Sequence, residues 1–133
     1  MKAVDTNVLI RILIDDHSQI TQVKTARHFA KKAGQLFVTQ IVQAELVWVL
    51  DSVYGLEKKE IMHILQHLQE NEAFVLQNGL QYAAALQIYR ISTADFSDCL
   101  IWAESQEMKC DVITFDKKFS RLPNVEMLNL IAQ

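Results

Sequence analysis

Short runs of apolar residues alternate with longer stretches in which apolar positions recur every three or four residues. The short runs predict strands, and the periodic stretches predict amphipathic helices. The predicted strands are residues 2–5, 36–38, 74–76, 112–115 and 125–128. The first predicted helix begins at Asp5-Thr6-Asn7 and ends at a break over 15–18. The other predicted helices are 18–33, 40–54, 57–70, 80–90 and 95–108, and a short turn or helix is predicted over 117–122. This alternation indicates the α/β class.

Strands that alternate with helices form parallel sheets, because right-handed crossovers return each strand in the same direction. We therefore expect a three-layer α/β/α sandwich around a short, mainly parallel central sheet of four to five strands. Ligands bind such sheets outside the carboxyl ends of the strands. Asp5 and Asp116 each end a predicted strand, so both are expected at the same edge.

Residues with capping preferences mark several predicted helix ends. Ser18 and Thr39 precede apolar stripes, as N-caps do. Gly34 and Gly55 follow apolar stripes, where a C-terminal cap is expected.

Length and charge exclude some classes of protein. Residues 1–133 suit one domain, and 50% apolar residues are enough for a buried core. The formal net charge of −3 argues against a protein whose whole surface coats nucleic acid. No run suits a signal peptide or a membrane span, and Cys99 and Cys110 are interpreted as reduced thiols of a cytoplasmic protein.

Glu45 is the most informative acidic residue. On a helix, its neighbours at i−4, i+3 and i+4 are Ile41, Trp48 and Val49. A carboxylate buried among them without a partner would cost several kcal/mol, so it would need a cation, a donor or water. The alternative is that Gln43 and Glu45 form a narrow solvated strip.

The other acidic residues each have a chemical and a purely local interpretation. Asp95 and Asp98 lie one turn apart at a helix start, where carboxylates also act as caps. Thr114 and Asp116 alternate onto the same side of a strand end, but Asp116 could simply begin a turn. Asp5 could likewise cap the helix that follows it.

Taken together, four carboxylates at one sheet edge are less easily explained by local roles. Two carboxylates ~4 Å apart repel by ~4 kcal/mol at an effective dielectric constant of ~20. A divalent cation would neutralise such a cluster, and oxygen ligands favour Mg²⁺ or Mn²⁺ over zinc.

The segments that contain these acids resemble a known family, the PIN domain, and more narrowly the VapC-type toxins of bacterial type II toxin–antitoxin pairs. The resemblance runs over nearly the whole chain. It rests on Asp5-Thr6-Asn7, on Glu45 within Ala-Glu-Leu-Val-Trp-Val-Leu, on Ala94 to Ile101, and on Thr114-Phe115-Asp116-Lys117-Lys118-Phe119.

The resemblance implies a Mg²⁺- or Mn²⁺-dependent endoribonuclease with a PIN-like fold, residues 1–133 forming one domain. It places Asp5, Glu45, Asp98 and Asp116 as the catalytic, metal-binding quartet. It places Asp95, Thr6, Asn7 and Thr114 as accessory residues. It also implies a homodimer, an RNA substrate and a cognate antitoxin that blocks the acidic groove.

Basic and aromatic residues add weaker expectations. Arg11, Lys117 and Lys118 could contact RNA phosphates, although the two lysines could equally belong to a solvated loop. Trp48, Trp102 and Phe96 are expected in the core rather than stacked on bases. His63 and His67 share a helix face but are expected at the surface, without a metal role.

Two rival functions remain open at the level of sequence. One is a non-catalytic PIN-like module that binds RNA or protein, although a complete acidic quartet argues against it. The other is a phosphoryl-accepting receiver domain, which would be expected to have an Asp at a central strand end. The third predicted strand ends in Gln77-Asn78 instead.

Overall fold

The computed structural model of the protein describes residues 1–132. The strands are β1 (Lys2–Ala3), β2 (Leu36–Val38), β3 (Phe74–Leu76), β4 (Val112–Thr114) and β5 (Val125–Met127). The α-helices are α1 (Thr6–Leu13), α2 (Ile20–Ala33), α3 (Gln40–Ser52), α4 (Lys58–Glu70), α5 (Gly79–Ile91) and α6 (Phe96–Glu107). Every predicted strand and helix is therefore present, and the α/β class is confirmed.

All the strand pairs are parallel, as predicted. One sheet has the order β1-β2-β3, with Lys2 opposite Leu36 and Leu36 opposite Phe74. A second sheet pairs β4 with β5. The chain forms two compact units, Met1–Gly79 and Leu80–Gln133, and each unit contains one of these sheets.

The first unit packs α1, α2, α3 and α4 around β1-β2-β3. Its core side chains are fully buried; they include Leu9, Leu36, Val38, Leu46, Leu50, Leu65 and Leu68. Thr39 caps α3 by accepting the Val42 N–H, and Gly34 and Gly55 adopt positive φ after α2 and α3, so these three predicted caps are confirmed.

The predicted N-cap Ser18 is wrong. Residues His17–Gln19 form a 3₁₀ turn, and α2 begins only at Ile20. The reason is local: the Asp16 carboxylate accepts hydrogen bonds from both the Ser18 N–H and the Ser18 hydroxyl, so Ser18 is held in the turn before the helix.

The second unit has an aromatic core. The Phe96 ring lies edge-on to Tyr82 and Tyr89, with ring centres 5.9 and 5.5 Å apart. Trp102 is half-buried, and its indole N–H donates to the Pro123 carbonyl at 2.8 Å. Phe96 therefore lies in the core as predicted.

Trp48 does not lie in the core: 65% of its surface is exposed, which contradicts the prediction. Helix α3 is apolar on most of its sides, so packing on the sheet buries Val42, Leu46 and Leu50 and leaves Trp48 outside. Within residues 1–132, no helix has both the length and the hydropathy needed to cross a bilayer.

Candidate active site

Asp5 lies between the end of β1 and the start of α1. Its backbone is extended, and its Oδ1 accepts the Val8 N–H at 2.9 Å, so it is the N-cap of α1. The capping interpretation of Asp5 is thus confirmed. The cap uses one carboxylate oxygen, and Oδ2 accepts no hydrogen bond from the residues that the structure describes.

Glu45 lies on the exposed face of α3, between Ile41 and Trp48, which are also exposed. The Thr6 hydroxyl donates to Glu45 Oε1 at 3.0 Å. This bond joins the start of α1 to the middle of α3. It also satisfies one carboxylate oxygen and leaves Oε2 open towards solvent.

Gln43, the expected partner of Glu45 in a solvated strip, is instead completely buried. Its Nε2 donates to the Val38 carbonyl at 3.2 Å and to the Gln77 carbonyl at 3.0 Å, at the carboxyl ends of β2 and β3. Gln43 therefore fixes α3, and with it Glu45, against the sheet. The sequence pattern missed this role, although an uncharged polar residue in so apolar a helix was a signal.

In the second unit, Asp95, Asp98 and Asp116 interact through their charges. Asp98 lies in the first turn of α6, half-buried. Burial raises the pKa of Asp98 above its usual value, and the negative charges of Asp95 and Asp116 raise it further. Asp95 occupies the N-cap position of α6 without making a side-chain capping bond, so its carboxylate is not used as a cap.

Asp116 is held in a tight turn after β4. Its N–H donates to Thr114 Oγ1 at 2.9 Å, and its Oδ1 accepts the Lys118 N–H at 3.0 Å. The turn interpretation of Asp116 is therefore confirmed. As in Asp5 and Glu45, only one carboxylate oxygen has a partner among the described residues, so the other is free for a ligand.

The three basic residues expected to contact RNA differ in whether their side chains already have partners. Arg11 is held in a network: Nη1 donates to the Tyr54 hydroxyl at 2.9 Å, Nε donates to Gln22 Oε1 at 2.8 Å, and Asp16 lies 3.7 Å away. Lys117 and Lys118 are exposed on the Asp116 turn. Arg11 is thus already engaged, whereas the two lysines are available to solvent.

Each unit carries two members of the predicted quartet, Asp5 and Glu45 in the first and Asp98 and Asp116 in the second. Across residues 1–132, no group of three or more His, Cys, Asp and Glu side chains is arranged to hold a metal ion. The assembly of all four acids into one site thus stays a prediction. His63 and His67 are exposed, as expected.

Two comparisons with known proteins bear on this arrangement. The family model of the PIN domain matches residues 2–125. A VapC ribonuclease of Aquifex aeolicus (strain VF5) is 26% identical to this chain over 124 residues, which cover 92% of this chain and 92% of that protein. Residues 2–125, which the PIN-domain model matches, contain every residue of the candidate site.

Proposed function

Because this chain belongs to the PIN domain family, we propose that it is a divalent-metal-dependent endoribonuclease that acts in the cytoplasm as the toxin of a type II toxin–antitoxin pair. The similarity to a VapC ribonuclease over 92% of both chains supports this proposal. The observation that carries it is the charge cluster of Asp95, Asp98 and Asp116: burial raises the pKa of Asp98, and the negative charges of Asp95 and Asp116 raise it further. Acids that repel one another in this way fit a site built for a cation.

The donor set fits Mg²⁺ or Mn²⁺. Asp5, Glu45, Asp98 and Asp116 would hold the ion through carboxylate oxygens, which these hard cations prefer. Three of these carboxylates already accept a hydrogen bond at one oxygen. Asp5 accepts the Val8 N–H. Glu45 accepts the Thr6 hydroxyl, and Asp116 accepts the Lys118 N–H. These bonds fix the orientation of each carboxylate while its second oxygen stays available.

When bound, a divalent ion supplies a Lewis acid that lowers the pKa of a water molecule and stabilises charge on the phosphate. The chain's own contribution is orientation. The Thr6 hydroxyl holds Glu45, the α1 cap holds Asp5, and the Thr114–Asp116 turn holds Asp116. Lys117 and Lys118 are exposed, and in this proposal they would attract RNA phosphates.

Attack by water leaves the RNA 2′-hydroxyl out of the reaction. In the proposed reaction the bond between phosphorus and the 3′ oxygen breaks, and the 3′ oxygen takes up a proton as it leaves. We therefore expect products with a 5′-phosphate and a 3′-hydroxyl. The proposal further includes a homodimer and an antitoxin protein that covers the acidic residues, both of which the resemblance to VapC-type toxins implies.

The test is cleavage of a pool of 20-nucleotide single-stranded RNAs in Mg²⁺ or Mn²⁺. Asp98→Asn and Glu45→Gln should each lower the cleavage rate at least 100-fold, a loss on the scale of removing one stabilising group from an active site. Matched controls on the same helices are Glu104→Gln on α6 and Asp51→Asn on α3, both exposed. They should cut at the wild-type rate.

Binding of the pool by the wild-type protein, without cleavage in either metal, would contradict the enzyme proposal. It would favour a non-catalytic PIN-like module that binds RNA without cleaving it.

A further inference from the structure

A cavity of about 780 Å³ lies beside Asp5, entirely within the unit Met1–Gly79. The end of β1, helix α1 and helix α2 form its walls, and Asp5 and Asn7 are among the residues that line it. Its volume falls in the range of small-molecule sites, roughly 300–1,000 Å³. The proposed metal chemistry uses Asp5 but does not use the cavity.

One part of the cavity wall is apolar. Val8 on α1 and Ala26 and Phe29 on α2 contribute to it. Phe29 is 37% exposed although it is a large aromatic residue. Planar, π-rich ligands favour such a surface because aromatic side chains stack on them.

The other part of the wall offers fixed polar groups. Gln22 Oε1 accepts the Arg11 Nε–H at 2.8 Å, which orients the amide and leaves its NH₂ group without a partner among the described residues. The Thr25 hydroxyl donates to the Thr21 carbonyl at 2.7 Å, so its oxygen can accept a further hydrogen bond. The cavity therefore presents a donor and an acceptor next to an aromatic surface.

We propose that this cavity binds one nucleoside of the RNA, adjacent to the phosphate that is cut; this inference rests on the proposed function. A nucleobase supplies both the flat apolar face and the edge polar groups that the walls match. A purely hydrophobic occupant would bury the Gln22 NH₂ group without a partner, at a cost of about 1–3 kcal/mol. The Gln22 NH₂ group can donate to an acceptor on the base edge, such as a carbonyl oxygen or a ring nitrogen.

The first test fills the cavity from an exposed wall position. Thr25→Trp should raise KM for the RNA pool about 10-fold or more, as expected when base stacking is lost, with a smaller effect on kcat. His28→Trp is the matched control, since His28 is exposed on the same helix but does not line the cavity. It should leave KM within twofold. Unchanged KM in Thr25→Trp, with the thermal melt of the wild type, would overturn the proposal.

The second test concerns base preference. Gln22→Glu keeps an acceptor for Arg11 but replaces the NH₂ donor by a second acceptor. Sequencing of the cleaved pool should show a base preference next to the cut that differs between the wild type and Gln22→Glu, because a carboxylate accepts from base amino groups where the amide NH₂ donated to base acceptors. The same preference in both proteins would contradict the role of Gln22.

A third measurement separates this inference from the proposed function. In ¹⁵N-labelled Asp98→Asn protein without metal, nucleoside 5′-monophosphates should shift the amide signals of residues 22 and 25, and inorganic phosphate should not. Such shifts without RNA cleavage by the wild type would refute only the ribonuclease. If the wild type and Thr25→Trp cleave RNA equally well and the amide signals of residues 22 and 25 do not shift, only the nucleoside cavity would be refuted. That result would fit a protein segment as the occupant of the cavity.

Discussion

Asp16 accepts three hydrogen bonds in the turn between α1 and α2. The Ser18 N–H and hydroxyl donate to Oδ1 at 3.0 and 2.6 Å, and the Tyr54 hydroxyl donates to Oδ2 at 2.8 Å. The bonds from Ser18 and Tyr54, with the nearby Arg11 charge, hold the pKa of Asp16 below its usual value. One carboxylate thus sets the start of α2 and ties α1 to the end of α3.

This lowered pKa predicts a pH dependence of stability. Because the folded protein holds the Asp16 proton more weakly than the unfolded chain, the contribution of Asp16 is complete above the unfolded pKa of about 4. It is lost as pH falls through the lower, folded pKa. We expect Asp16→Asn to lower Tm at pH 6 and the difference from wild type to shrink at pH 3.

The neighbouring Asp15→Asn is the control, because Asp15 forms an exposed ion pair with Arg27. Exposed ion pairs contribute little, so its Tm should stay close to the wild-type value at both pH values. Thermal melts followed by circular dichroism measure both variants. An Asp16→Asn deficit that is the same at pH 3 and pH 6 would contradict the prediction.

At the scale of elements, polar side chains join α3 to the ends of β2 and β3. The Gln40 N–H donates to Gln77 Oε1 at 2.8 Å, and Asn78 Nδ2 donates to Gln40 Oε1 at 2.7 Å. Gln43 adds its two bonds to Val38 and Gln77 from inside the core. These contacts fix the position of α3 along the sheet, and Glu45 lies only two residues further on.

Gln43→Leu should therefore be destabilising although leucine suits a buried site. The change removes both bonds from Nε2 and leaves the Gln77 carbonyl short of a donor, so the free energy of unfolding should fall by about 1–3 kcal/mol. Urea denaturation measures this loss. The control is Gln66→Leu on the exposed face of α4, which should change the free energy of unfolding by less than about 0.5 kcal/mol. Equal losses in the two variants would contradict the structural role of Gln43.

At the scale of the whole molecule, the acidic balance is partly a property of the candidate site. The chain has 16 Asp and Glu against 13 Lys and Arg. Without the predicted quartet, 12 acids face 13 bases, so the remaining charge is close to neutral. The net charge of −3 therefore does not argue against an RNA substrate.

The same acids predict how metal changes stability. The raised pKa of Asp98 means that its ionised form is disfavoured in the folded protein, so Asp98→Asn should raise Tm in EDTA. Mn²⁺ should raise Tm of the wild type by binding the folded state, and of Asp98→Asn much less. Scanning fluorimetry with EDTA and with Mn²⁺ measures both effects. Glu104→Gln should behave as the wild type does, and an equal Mn²⁺ shift in Asp98→Asn would contradict metal binding at Asp98.

The order of strands and helices, their parallel pairing and most helix ends could be predicted from the sequence. The elements and their ends depend on residues close in the chain, through apolar periodicity and the caps at Thr39, Gly34 and Gly55. The parallel pairing could be predicted because right-handed crossovers return each strand in the same direction. Ser18 is not the N-cap of α2, because its N–H donates to the Asp16 carboxylate in the preceding turn. The Tyr54 hydroxyl, which follows α3, also donates to this carboxylate. The acidic candidates were also found from sequence. Strand ends and helix starts identify Asp5, Asp98 and Asp116, and Glu45 stands out as a charged residue among apolar helical neighbours.

Only the tertiary structure decided which faces of α3 are buried. This helix is apolar on most of its sides, so its periodicity does not say whether Gln43 or Trp48 faces the sheet. Hydrogen-bond partners far along the chain, such as Gln77 for Gln43 and Thr6 for Glu45, decide it. The interaction of Asp95 and Asp98 with Asp116 likewise depends on folding, because electrostatic coupling depends on distance in space and not on separation in sequence.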